Sequence, residues 1–127
     1  MAVQLNHTIV PSRDKEAGAR FVARILGLPE PRRFGHFVVV EMANGVSLDY
    51  DNRSEVTPEH YAFLVDDADF DPIFQRVQDG HIPYYADPGH HQEGVINTRD
   101  GGRGFYFTDP SGHNLEVLTR PYGWGAR

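Results

Sequence analysis

The sequence contains no cysteine, which excludes a disulfide frame, a thiolate nucleophile and a zinc ribbon. It has a single lysine, Lys15; its other cationic side chains are all arginines. Against 12 Lys and Arg stand 18 Asp and Glu, a formal net charge of −6. Phosphate binding needs clustered cations, so no nucleic-acid partner is expected. No stretch approaches the ~20 apolar residues that span a bilayer, so no membrane partner is expected. The opening MAVQLNHTIV lacks the basic segment and apolar run of a signal peptide. The expectation is a soluble cytoplasmic protein. With 39% hydrophobic residues, the chain is too apolar for disorder. Its 127 residues suit one domain, or two small repeated halves that share a core.

The most informative stretch is 104–120, GFYFTDPSGHNLEVLTR. Phe105 to Phe107 fit a pleated, half-buried surface, and Asn114 to Thr119 resume that pattern. Between them, Asp109-Pro110-Ser111-Gly112 supplies an Asp that bonds its own backbone, a Pro that pre-sets φ and a Gly for positive φ. The period of two puts Asn114, Glu116, Leu118 and Arg120 on one face and Leu115, Val117 and Thr119 on the other. A carboxylate between Leu115 and Val117 is costly to bury without a partner.

Earlier in the chain, Gln4 to Val10 reads as a strand with Leu5, His7 and Ile9 on one face, ended by Pro11-Ser12-Arg13-Asp14. A helical stripe follows from about Asp14 to a cap at Gly27, and Pro29 and Pro31 forbid its continuation. Strands are expected over 37–41 and 46–50, joined by a turn at Ala43-Asn44-Gly45. The polar stretch 51–58, DNRSEVTP, is the linker candidate. A strand over 60–65 has His60, Ala62 and Leu64 on one face. A helix then starts at Asp71-Pro72, carries Phe70, Ile73, Phe74 and Val77 as its stripe and ends at Gly80.

The two halves are in register. Gly27 follows His7 by 20 residues, and Gly80 follows His60 by 20. Gly45 follows Phe37 by 8 and precedes Asp49 by 4; Gly112 follows Gly104 by 8 and precedes Glu116 by 4. Such self-similarity indicates two copies of one strand–helix–strands unit, the second with a 14-residue insertion between Gly80 and Gly104. The expected layout is a single α+β domain over 1–127. Its module 1 covers about 1–52, the linker about 51–58, module 2 about 59–120, and a tail 121–127 follows.

The repeat matches His7 with His60 and Asp49 with Glu116. If each half is a curled sheet with its helix outside, facing sheets bring these four side chains together. Two imidazoles and a carboxylate with open positions suit ferrous iron in oxygen chemistry, and suit Mn, Co, Ni or Zn as well. Fe(II) is the expected ion. A lone strand histidine is ordinarily a hydrogen-bonded core residue; the register of His7 with His60 turns the expectation toward metal.

LNHTIV, EHYAFLV and FYFTDPSGHNLEVLT together resemble the vicinal oxygen chelate superfamily, which contains glyoxalase I, extradiol dioxygenases, fosfomycin-resistance transferases and bleomycin-binding proteins. The resemblance covers essentially the whole chain. Its layout is similar to small dioxygenase-like members that tailor aromatic polyketides, of the chartreusin-pathway type. It implies paired βαβββ modules forming a curled, cavity-enclosing mixed sheet with helices outside. It also implies a metal site of His7, His60 and Glu116, with Asp49 where glyoxalase I has a fourth ligand. Small members usually form homodimers, with His7 then acting beside His60 and Glu116 of another subunit.

Other candidates each have two readings. Asp49 is a ligand, directly or through water, or holds a ligand histidine in place. Tyr106 points its hydroxyl into the cavity as a catalytic group, or packs as sheet tyrosines do. Arg120 binds an anionic substrate group or forms a rim salt bridge. The insertion is a lid or binding loop in which His90 is a candidate general base and Tyr85 and Asn97 candidate substrate contacts. Otherwise its polar residues are simply solvated. His36, His81 and His113 lie at turns and are expected at the surface. Tyr122 and Trp124 pack on a partner subunit or over the cavity mouth.

The leading expectation is a metal-dependent dioxygenase acting on an aromatic or quinone-like small molecule chelated through vicinal oxygens, in antibiotic or other natural-product biosynthesis. A glyoxalase-like isomerase or lyase has only Asp49 in its favour, with no basic cluster for glutathione carboxylates. A fosfomycin-type transferase lacks its anion-binding Lys and Ser, since the loop before Phe105 reads NTRDGGRG. A metal-free, drug-sequestering protein of the bleomycin-resistance kind is the non-enzymatic alternative.

Overall fold

The computed structural model describes residues 2–123, so Trp124 lies outside the described residues. The chain divides into two compact units, Met1–Thr57 and Pro58–Arg127.

Unit 1 is β1 (His7–Ser12), α1 (Lys15–Leu26), β2 (Arg32–Phe34), β3 (Phe37–Glu41) and β4 (Ser47–Asn52), with sheet order β1-β4-β3-β2. Parallel pairing of β1 with β4 needs a crossover, which α1 provides. β1 begins and ends later than the sequence pattern suggests, because Pro11 sits inside it. As an edge strand, β1 tolerates a residue with no N–H. Asp14 caps α1 by accepting from the Glu16 and Ala17 amides, and Gly27 closes it at φ 70°. The strand β2 has no alternating signature and is legible only as the added strand of a βαβββ module.

Alternation then sorts unit 1 into two faces. Val10, Val38, Val40, Leu48 and Tyr50 are buried on the side where α1 packs. A Cβ at Gly18 would stand 2.6 Å from Ser12 Oγ and 3.1 Å from the Tyr50 ring, so only glycine permits this close approach of helix and sheet. The opposite face carries His7, Ile9, Val39 and Asp49, all exposed or half-exposed.

Unit 2 is β5 (His60–Leu64), α2 (Asp67–Asp79), a 3-10 turn (Arg99–Gly101), β6 (Gly104–Thr108) and β7 (Asn114–Leu118), with sheet order β5-β7-β6. Among the described residues it has three strands where unit 1 has four. The missing strand is replaced by the insertion, whose backbone pairs with β6 at the bridges Tyr85↔Tyr106 and Asn97↔Gly104. The helix α2 starts four residues before the expected Asp71-Pro72. Asp66 is its N-cap and Pro72 lies inside. The missing Pro72 N–H costs one helical bond, which burial of Phe70, Ile73 and Val77 offsets. Phe70 and Phe74 both pack on Phe105, at ring separations of 5.5 and 5.4 Å.

The closing hairpin forms as the sequence indicates. Asp109 Oδ1 accepts from the Ser111 and His113 amides at 2.9 and 2.8 Å, and Gly112 takes φ 93°. One expectation is corrected here. His113 is fully buried, while His36 and His81 are exposed as expected. The turn aims its ring inward, where Nδ1 accepts from the Glu59 amide at 2.9 Å and the ring meets Tyr61 edge-on. Among the described residues, no helix is long and apolar enough to cross a membrane.

Candidate functional site

Unit 2 assembles a connected polar cluster on one face of its sheet. Glu116, from the centre of β7, is 2% exposed, and its Oε1 lies 3.0 Å from His60 Nε2 on β5. The pairing Ala62↔Glu116 puts His60 on the same face as Glu116, two residues along β5 from Ala62. His60 Nδ1 lies 3.0 Å from the Asn114 carbonyl oxygen. A carbonyl only accepts, so the ring hydrogen is on Nδ1 and Nε2 is presented to Glu116. Two acceptors held this close need a cation between them, whether a proton or a metal ion. An imidazole nitrogen beside a buried carboxylate also suits the donor preferences of a divalent ion. A separation of 3.0 Å is also that of neighbouring donors on an ion with bonds of about 2.1 Å. The pair thus fits a divalent metal.

The other Glu116 oxygen, Oε2, accepts from the Tyr122 hydroxyl. Tyr106 Oη lies 3.0 Å from Tyr122 Oη, and Arg99 Nη1 donates to Tyr106 Oη at 2.9 Å. The donors run in one direction, from the Arg99 guanidinium through two phenols to the Glu116 carboxylate. Burial and the hydrogen bonds to Glu116 and Tyr106 push the Tyr122 phenol well up from its ordinary value. Gly123 N donates to Asp100 Oδ2 at 3.1 Å, which fixes the tail that carries Tyr122. The His60 and Tyr106 rings stack at 5.8 Å.

The insertion closes the far side. His90, at φ 60°, donates from Nε2 to Asn114 Oδ1 at 2.8 Å and stacks on Tyr85 at 4.2 Å. Only its Nδ1 is then left to take a proton. The Asn97 amide bonds Ala86 O at 2.9 Å and its oxygen accepts from Arg99 N, which ties the two arms of the loop together, while its backbone bridges to Gly104 of β6. Arg120 lies beyond the end of β7 and is exposed, with its guanidinium beside Gly101. The strand face expected to hold it with Glu116 stops at Leu118.

His7 and Asp49 line a cleft of about 400 Å³ in unit 1, with Arg32, Phe34, Phe37 and Ser47. His7 Nδ1 faces Asn6 Oδ1 at 2.7 Å, and Ser47 Oγ donates to Asp49 Oδ1 at 2.9 Å. Among the described residues, no three His, Cys, Asp or Glu side chains stand together as a metal-binding group. Of the four ligands expected from the repeat, the structure joins His60 to Glu116 and places His7 and Asp49 along one cleft.

Residues 4–117 match the model of the Glyoxalase/Bleomycin resistance protein/Dioxygenase superfamily. The chain belongs to this superfamily. A superfamily resemblance read from LNHTIV and FYFTDPSGHNLEVLT is thereby established. A solved relative, Oxidase ChaP-H2, is 60% identical, with a TM-score of 0.94 over 97% of this chain and 98% of that one. Oxidase ChaP-H1 is 58% identical, with a TM-score of 0.94 over 96% and 99%. Both oxidases fall in the branch that the layout suggested. The glutathione transferase FosA of Serratia marcescens is 28% identical over 124 residues, 92% of this chain and 81% of the relative.

Sequence reading missed Arg99 and Asn114 and left Tyr122 undecided. Arg99 sits in a loop with no periodicity, and Asn114 contributes its backbone carbonyl, which no side-chain pattern reports. The Pro121 break five residues after the buried Glu116 was the one signal that the chain turns back.

Proposed function

We propose that this protein is a metal-dependent dioxygenase-type enzyme acting on an aromatic or quinone-like small molecule chelated through vicinal oxygens, in natural-product biosynthesis. The observation that carries the reading is the His60–Glu116 pair, an oriented imidazole nitrogen against a buried carboxylate oxygen. Its likeness to two oxidases lends support. His60, Glu116 and His7 are the proposed ligands, Fe(II) the proposed ion, and a homodimer the proposed assembly. Asp49 is a fourth ligand, directly or through water, or holds a ligand histidine in place.

When bound, such an ion holds the substrate as its electron-rich anion and brings it together with oxygen. The protein's own contribution is positional. The Asn114 carbonyl fixes the His60 ring, and the Tyr122 hydroxyl leaves only one Glu116 oxygen free. Tyr106, held by Arg99, donates to Tyr122 and so keeps the Tyr122 hydroxyl turned toward Glu116. His90 has Nδ1 available as a base at the cluster's edge.

The test is oxygen uptake on catechols and hydroxyquinones by Fe(II)-loaded protein. Uptake that ceases in both His60→Ala and Glu116→Gln supports the enzyme. A second reading, a metal-free sequestering protein, draws on the open aromatic cleft of unit 1. It expects the same ligands to bind without turnover, and to bind equally well after His60→Ala.

A further inference from the structure

We infer that Arg32, on the open face of the unit 1 sheet, anchors the ionised oxygen of a flat, hydroxylated aromatic ligand, an assignment that rests on the aromatic-substrate reading above. The register carries it. Arg32 pairs with Val39, Val39 with Asp49, and Asp49 with Ile9, so these four side chains form one rung across the sheet and project from the same face. Arg33 is the next residue on β2 and projects the other way. It is ion-paired to Glu16 in the first turn of α1, the helix that covers the opposite face. Both arginines border the cleft, but the Arg33 guanidinium is taken up by Glu16, so Arg32 is the one whose guanidinium is presented on the face that carries Asp49.

Arg32 is lightly engaged there. Among the described residues its one ion pair is to Glu41 at 3.5 Å, between side chains 72% and 53% exposed, which leaves most guanidinium donors unengaged there. Phe34 and Phe37 are register partners on the same face, and Phe34 is 75% exposed. A flat ring laid on Phe34 removes that apolar surface from water, and a guanidinium recognises an ionised oxygen with paired, directed donors. From two residues along β4, Ser47 Oγ holds Asp49 Oδ1, so Oδ2 remains to accept from a neutral ligand hydroxyl. A cation beside exposed aromatic surface selects a ring that bears an ionised oxygen, and Asp49 Oδ2 is an added acceptor for a ligand that also carries a neutral hydroxyl. The cleft volume, about 400 Å³, is in the range of small-molecule sites.

The test is calorimetric binding of lawsone, a naphthoquinone whose hydroxyl is ionised at neutral pH, against its uncharged methyl ether. The full chain is used, with thermal melts to establish that each variant is folded. Arg32→Gln is expected to weaken lawsone binding about tenfold, the effect of losing one charged hydrogen bond, and to leave the ether unchanged. Arg33→Gln is expected to leave both unchanged. Equal lawsone affinity in Arg32→Gln and wild type overturns the assignment. So does an equal loss in Arg33→Gln, or the absence of saturable lawsone binding. In a His60→Ala background the Arg32 dependence is expected to persist, even if the metal reading fails. Its disappearance there assigns the binding to metal chelation and overturns Arg32 as the anchor.

Discussion

Tyr122 donates its hydroxyl to Glu116 Oε2, the carboxylate oxygen that His60 does not face. A residue from the chain's tail thus fixes the carboxylate whose other oxygen is offered to a cation. Tyr122→Phe removes that donor and keeps the ring. Outer partners of metal ligands typically contribute about tenfold or more in affinity, so Mn(II) binding by calorimetry is expected to weaken by about that factor. Unchanged affinity reduces Tyr122 to packing of the tail.

Buried His113 and exposed His36 offer a paired test. Deleting the His113 ring leaves the Glu59 amide without its acceptor and opens a cavity. His113→Ala is expected to cost about 2–4 kcal/mol in urea unfolding. His36→Ala, at an exposed position, is expected to stay within about 0.5 kcal/mol. Neither change is expected to alter metal content.

Asp87 organises the insertion by accepting from the His91 and Gln92 amides. Burial raises its pKa, but those amides outweigh burial and hold the carboxyl below its ordinary 3.8. A carboxyl depressed on folding stabilises above the ordinary value, and that contribution is lost as pH falls through the lowered one. Hydrogen exchange of the His91 and Gln92 amides is therefore expected to be slower than in Asp87→Asn at pH 6. The difference should vanish below the lowered value. A difference that grows on acidification contradicts this sign.

Phe105 touches Phe70, Phe74, Tyr84 and Phe107. It is fully buried, and Phe105→Ala is expected to destabilise by about 3–5 kcal/mol in denaturant titration.

Much of this was legible in the residues. The spacing from His7 to Gly27 and from His60 to Gly80 announced the duplication, because a strand feeding a helix of set length leaves a fixed interval before the cap. Glu116 was legible as a residue needing a partner, because the period of two left it on a strand between apolar neighbours. His113 was misread because a turn position says nothing of the direction in which the ring leaves the backbone. Asp109 decides that by holding the His113 amide. The strand β2 was legible only through the βαβββ layout, since three residues carry no period, and only the pairing with β3 distinguishes Arg32 from Arg33. The start of α2 was placed too late because Pro72 looks like a first-turn residue, whereas Asp66 caps a turn earlier.

The most direct test of the central claim, that His60 and Glu116 hold a divalent ion, is elemental analysis of protein purified without chelators, repeated on His60→Ala. The expected result is stoichiometric iron or manganese in the wild type, absent from the variant. A wild-type protein that carries no metal, and takes up none on titration with Fe(II), Mn(II), Ni(II) or Zn(II), would contradict it.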